Sequence, residues 1–250
     1  VAGLGLLVWT AFWSPLLAVR HVRLVGAEHT TARDVAAAAG LSTDDNLLLV
    51  STSEIATKAE TLPWVRAAEV DRKLPGTVVV RIEERQPEMI LSVDAGRWSI
   101  DGAGNVLARA TEARSLPILS GFDPGDVGPG TKLELPQARA AMKVWRSLPR
   151  GLAKHVVALF APTPVRVSLS LDTSTTVRYG SSAATAAKNA VLKALLARSQ
   201  AEGTAPAYID VRVPESPAIS SAPVVTALPS PGASPAASAQ PSPAPSASPR

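Results

Sequence analysis

The 250-residue chain has no cysteine. That excludes disulfides, thiolate catalysis and cysteine-bound metal, and it leaves the compartment open, because exported domains often do without cysteine. Aromatic residues make up only 4%, with Tyr and Phe especially rare, so surfaces for stacking bases or sugars are scarce. Histidine is confined to His21, His29 and His155, too far apart for a ligand pattern, and no metal or other cofactor is expected. The net charge of +4 is mildly basic but not concentrated. Between residues 66 and 85 the basic side chains interleave with Glu69, Asp71, Glu83 and Glu84, which reads as a solvated face and not a nucleic-acid footprint. Long structureless apolar runs are also missing, with one exception at the N-terminus.

The chemical motifs are absent too. There is no His-Glu-x-x-His, phosphate loop, dinucleotide fingerprint or Gly-x-Ser-x-Gly elbow. Ser181 and Ser182 follow Gly180 ahead of an expected helix, an ordinary capping arrangement with no base placed to make either a nucleophile. Asp71 with Glu83, or Glu69 with Glu84, could approach across a hairpin. Their neighbours Arg72, Lys73, Arg81 and Arg85 make compensated surface charge the simpler reading. No small-molecule substrate is indicated, and the expectation is a protein that is not an enzyme.

What is present begins with residues 1–19, an uncharged apolar run. At 1.5 Å per residue it reaches roughly 28 Å, close to the hydrocarbon thickness of a bilayer. A transmembrane helix is the favoured reading, with Trp9 and Trp13 near an interface and Pro15 near the far end. A buried N-terminal helix is the alternative; a signal peptide fits less well, for want of a basic leader and an Ala-x-Ala site. Arg20, His21 and Arg23 follow the run, and the positive-inside trend would keep them cytoplasmic, so hydropathy alone leaves the orientation open.

Residues 21–26 alternate as a short strand ending in Gly26. Thr31 and Asp34 form a capping box for an alanine-rich helix that Gly40 terminates, and Ser51 with Glu54 repeats the start signal. Ile55, Ala59 and Leu62 share one face of that second helix before Pro63 stops it. Residues 67–73 and 77–84 then alternate around a Leu-Pro-Gly turn and predict a hairpin, with Val78, Val80 and Ile82 inward. From residue 89 strands dominate: 89–93, 97–100, 106–107, 156–160, 165–171, 175–179 and 208–213. Two helices interrupt them. One starts at Pro136 with Ala141, Val144, Trp145 and Leu148 on one side. The other covers 183–199 with Ala187, Val191, Ala194 and Leu195 as its expected buried stripe.

From Pro214 onward proline, serine and alanine prevail, and a disordered tail is expected over 214–250, more a spacer than a Pro-x-x-Pro ligand. The class is therefore α+β: a transmembrane helix at 1–19, a small β-α-α-β-β domain at 20–88, a mixed β domain with flanking helices at 89–213, then the tail. With no visible chemistry, strand edges are the most plausible working surfaces, since a partner strand can complete their backbone hydrogen bonds. Residues 208–213, the last strand before the tail, are the expected edge, with a strand that lies inside the sheet and binds nothing as the alternative.

The order of short motifs carries a resemblance. It comprises Val22-Arg23-Leu24-Val25-Gly26, Leu62-Pro63-Trp64-Val65, Ala68-x-Val70-x-Arg72-x-x-Pro75 and Ile82-x-Glu84-Arg85-x-Pro87. It continues with Ile100-Asp101-x-x-Gly104-x-Val106, Leu116-Pro117-x-Leu119-x-Gly121 and Ile209-Asp210-Val211-Arg212. Together with the apolar run they make the chain resemble the bacterial FtsQ (DivIB) cell-division family over nearly all of residues 1–213. The resemblance implies a single-pass cell-membrane protein of the division septum, with a POTRA domain and then a β domain outside the cytoplasm. It implies no enzymatic activity. The partners implied are the coiled-coil division proteins FtsB (DivIC) and FtsL and the septal peptidoglycan synthesis machinery, which the family helps recruit and regulate. The family's POTRA domain is linked to upstream recruitment, and the end of its β domain takes the FtsB-like partner as an added strand. Carried onto this sequence, that assigns Tyr208, Ile209, Asp210, Val211, Arg212 and Val213 to partner binding, supported by Arg166 and Tyr179. Gly26, Pro63, Trp64, Arg72, Pro75, Glu84, Arg85 and Pro87 become structural, with Trp64 expected to be buried. The family's cytoplasmic N-terminal tail has no counterpart in these 250 residues, and the proline-rich tail has none in the family core. Two other readings compete: a POTRA-containing translocation or envelope-assembly factor, and a cell-wall enzyme with an unrecognised site.

Overall fold

Alternation and capping build the first domain as expected. The computed structural model describes residues 17–110 and 116–221. Strand β1 (His21–Val25) is followed by helices α1 (Ala32–Ala39) and α2 (Thr52–Ala59), then by β2 (Val65–Lys73) and β3 (Thr77–Glu84). Thr31 and Asp34 form the capping box of α1, and Gly40 ends it in the left-handed region at φ 67°. The sheet order is β1-β3-β2, with β1 parallel and β2 antiparallel to β3. Val78, Val80 and Ile82 turn onto the helices and meet Val35, Ile55 and Ala59 in a closed core.

Gly26 leaves β1 at φ 85°, where a Cβ would lie 2.5 Å from the Ile82 carbonyl oxygen. Only glycine fits there. Arg72 donates to the Val50 carbonyl at 2.6 Å, and Pro75 sits in the β2–β3 turn behind a cis Leu74–Pro75 bond. The hairpin register places Glu69 opposite Arg81 and Glu83 opposite Ala67. Neither suggested carboxylate pair forms: Arg81 bonds Asp71 and Glu69, Arg66 bonds Glu83, and Glu84 turns away to His29. Trp64 is half-buried instead of enclosed, its ring stacked on His29 at 3.8 Å and 4°.

Glu84 to Glu88 hands the chain to the second domain through paired contacts. The Arg85 amide donates to the Trp64 carbonyl at 2.7 Å, while its guanidinium reaches Asp101 at 3.1 Å. Pro87 is followed by Glu88, which accepts from the Trp145 indole at 2.9 Å. Asp101 also accepts from the Ala103 and Asn105 amides, so this buried carboxylate organises the turn that Arg85 grips.

The second domain is one nine-stranded sheet of order β12-β11-β10-β9-β8-β7-β4-β5-β6. Its strands are β4 (Met89–Val93), β5 (Gly96–Ile100), β6 (Val106–Arg109), β7 (Ile118–Ser120), β8 (Val156–Phe160), β9 (Val167–Leu171), β10 (Thr176–Gly180), β11 (Tyr208–Asp210) and β12 (Ala218–Ser220). Helices α3 (Pro136–Ser147), α4 (Arg150–Ala153) and α5 (Thr185–Ala201) complete it. β7 lies inside the sheet, parallel to both β4 and β8, and has no sequence signal: three residues between Pro117 and Gly121 are too few for alternation to register. The one-turn α4 was missed for the same reason.

Helix α5 keeps half of its expected face: Val191 and Leu195 pack partly buried against the core, whereas Ala187 and Ala194 are exposed and Lys188, Asn189, Leu192 and Ser199 are buried. Its start carries no side-chain cap; Ala184 stands there at φ 49°, so Ser181 and Ser182 do not cap it. The described residues include no helix long and apolar enough to cross a membrane. Most of the expected span lies outside the described residues, but Leu17 to Val19 do not continue such a helix: Ala18 bridges to Asn46, and Val19 is 3% exposed in the domain core. At the other end, residues 214–221 contain β12 instead of starting the tail; 222–250 lie outside the described residues.

Candidate partner-binding edge

The edge is built outward from β10. It pairs antiparallel with β9 and parallel with β11 (Val177 opposite Ile209), and β12 then adds antiparallel to β11, Ile219 opposite Ile209. The expected long strand over 208–213 is thus three residues of β11 with partners on both sides. Sequence placed the edge one strand too early, because Ala-Ile-Ser among prolines carries no strand signal. Among the described residues β12 is the terminal strand at this end of the sheet, and β6 is terminal at the other.

The assigned residues divide by burial. Ile209, Val211 and Tyr179 are fully buried, so their side chains support the edge from the core and offer a partner nothing. Val211 also gives its amide to the Arg178 carbonyl at 3.0 Å, an internal ladder bond. Tyr208 and Asp210 are half-buried, and Arg212 and Val213 are exposed. Arg166 is exposed just before β9, three strands in from β12. Ile219 within β12, which the sequence reading missed, is 49% exposed, and Val213 in the β11–β12 connection is 55% exposed.

Asp210 fixes the turn after β11. Its carboxylate accepts from the Arg212 amide at 3.0 Å, from the Arg212 guanidinium at 2.7–3.0 Å, and from the Tyr208 hydroxyl at 3.3 Å. Burial pushes the carboxyl up, but the Arg212 and Tyr208 bonds outweigh that and hold it below its ordinary value. The Arg212 guanidinium is pushed up in return by its hydrogen bonds to Asp210. Gly180 makes room: at φ 78° its missing Cβ would lie 2.9 Å from Arg212 Cγ. Behind the edge, Tyr179 donates to Asn189 at 2.9 Å, and Asn189 donates to the Ser147 carbonyl at 2.7 Å, tying β10 to α5 and α3. Thr175 donates to the Pro206 carbonyl at 2.6 Å and secures the segment leading into β11.

Comparison with known proteins matches both halves. Residues 17–85 match the POTRA domain of FtsQ type, and residues 90–212 match the cell division protein FtsQ/DivIB C-terminal domain. Among relatives, the cell division protein FtsQ of Mycolicibacterium smegmatis is 28% identical, over 88% of this chain and 66% of its own length. That of Mycobacteroides abscessus is 30% identical, over 78% of this chain and 59% of its own. That of Corynebacterium glutamicum is 26% identical, over 73% of this chain and 78% of its own. The chain thus spans less than two thirds of the length of the mycobacterial relatives named here.

Proposed function

The chain belongs to the FtsQ/DivIB family of cell division proteins, and on that premise we propose that it is a non-enzymatic divisome scaffold. It sits at the division septum, held in the cell membrane by the apolar run ahead of Leu17, with both domains outside the cytoplasm. Its second domain takes a strand from an FtsB/DivIC-like coiled-coil protein, with an FtsL-like protein in the same complex, and so helps recruit and regulate septal peptidoglycan synthesis. The observation that carries this is β12 as the terminal strand of a nine-stranded sheet, with Val213 and Ile219 exposed. An added strand would extend the sheet beyond β12 there, and exposed apolar side chains would select it.

The test is pull-down of the full chain with the coiled-coil division proteins. Val213→Asp combined with Ile219→Asp is expected to weaken capture by about tenfold or more, equivalent to ~1.4 kcal/mol. The thermal midpoint should stay near wild type, because both side chains are about half exposed. Undiminished capture by the folded double variant sinks the edge assignment. Proline at Val211 is a poorer probe, since it removes the bond to Arg178 inside the sheet.

A further inference from the structure

The strand directions put three features at one end of the first sheet. β1 starts there with His21 opposite Thr77, β2 ends there with Lys73 opposite Thr77, and the 74–76 turn closes it. The incoming chain is gripped at the same place. The Arg20 and His21 amides donate to the Gly76 carbonyl at 2.8 and 3.1 Å, the Val19 amide to Asp45, and the Leu47 amide to the Leu17 carbonyl at 2.8 Å. Arg72 binds the Val50 carbonyl and so joins the 46–50 loop to the hairpin end. Residues 17–20 therefore enter between two loops.

Those loops carry leucines that the domain leaves uncovered. Leu49 is 71% exposed, Leu74 66% and Leu48 38%. Large apolar side chains gathered on the tips of adjacent loops mark a surface suited to an apolar neighbour. The chain itself says which: Val19, the last residue of the uncharged run, is already packed in the domain core, so no polar linker separates that run from the fold. If the run lies in a bilayer, the leucine-bearing end is held within a few residues of its surface. We propose that Leu48, Leu49 and Leu74 form a lipid-contacting rim that seats the first domain on the membrane and fixes its stance there. This rests on the anchor reading above. Arg20, Arg72 and Lys73 lie around the rim and suit the headgroup layer, with Asp44 and Asp45 on the same loop keeping the charge mixed. The contact is therefore apolar in the main and does not depend on anionic lipid.

The absence of cysteine makes the test direct. The full chain, carrying one fluorophore on Leu49→Cys, Leu74→Cys, Leu7→Cys or the distant Val157→Cys, is placed in phosphatidylcholine vesicles with one quarter phosphatidylglycerol and doxyl-labelled lipid. Quenching at 49 and 74 is expected to exceed that at 157 several-fold, and Leu48→Glu with Leu74→Glu is expected to lower it at 49 to the level of 157. Quenching at 7 but not at 49 and 74 overturns the rim while leaving the anchor. No quenching at 7 overturns the anchor and the rim with it. Quenching at 49 that survives the two glutamates reflects nearness alone and overturns the contact.

Discussion

Replacing Glu84 with alanine is expected to destabilise the first domain by about 3 kcal/mol, since two backbone donors lose their partner. The Glu84 side chain, only 6% exposed, accepts from the His29 and Thr30 amides, each at 2.9 Å, and meets the His29 ring at 3.0 Å. Alanine takes that acceptor away from both amides. Burial alone would push this carboxyl up. The bonds from the His29 ring and from the His29, Thr30 and Glu28 backbone outweigh it and hold the pKa at about 2, against an ordinary 4.5. A lowered folded-state pKa means the stabilisation is complete above the ordinary value and is lost as pH falls from there through about 2. The shift corresponds to about 3 kcal/mol, or ~2 after discounting for solvent around the exposed His29 ring. Urea unfolding followed by circular dichroism at pH 7 and at pH 3 checks both statements. Glu84→Gln keeps one acceptor and should unfold with a flatter pH dependence below pH 4.5 than wild type. Parallel pH curves for the two proteins would falsify the assignment.

Glu84 also shows what sequence could and could not convey. Its place at the end of β3 was legible from alternation, and the Glu-Arg-x-Pro motif marked the crossing into the second domain. That its carboxylate turns back across 55 residues to His29 was not, because no local pattern encodes such a pairing. The first domain was readable because each element carries its own signal: a capping box at Thr31, a left-handed glycine at position 40, alternating valines in β3. The second domain depends on non-local pairing. β7 is three residues long yet lies between β4 and β8, and β12 hides in a proline-rich stretch. The edge was therefore placed at β11 when β12 covers it. The α5 face was only half legible for a different reason: Val191 and Leu195 pack inward, but Lys188 and Asn189 are buried as well because Ser181, Tyr179 and Ser147 satisfy them, whereas periodicity counts only apolar residues.

Tyr179→Ala is expected to cost about 3–5 kcal/mol, the range for emptying a buried aromatic site. The ring is fully buried under the edge, with the Lys188 ammonium 5.2 Å from its centroid. Its hydroxyl contacts Asn189 and, at 3.3 Å, the Thr185 carbonyl. Burial pushes the phenol above its ordinary pKa, so it stays a neutral donor at physiological pH. Burial likewise pulls the Lys188 ammonium below its ordinary value, while its bond to the Ser181 carbonyl at 2.8 Å keeps a polar partner. Tyr179→Phe removes only the hydroxyl and leaves Asn189 Oδ1 short of a donor, costing about 1–2 kcal/mol. The pair separates support from contact. If Tyr179 acts by holding β10 against α5, the phenylalanine variant keeps wild-type capture of the coiled-coil partner, and the alanine variant loses capture together with its thermal midpoint. Loss of capture by a stable Tyr179→Phe would instead make the hydroxyl part of the contact, against its burial. The edge strands β11 and β12 are short, so their position relies on what lies behind them, and this one tyrosine joins the two helices to the strand that carries both.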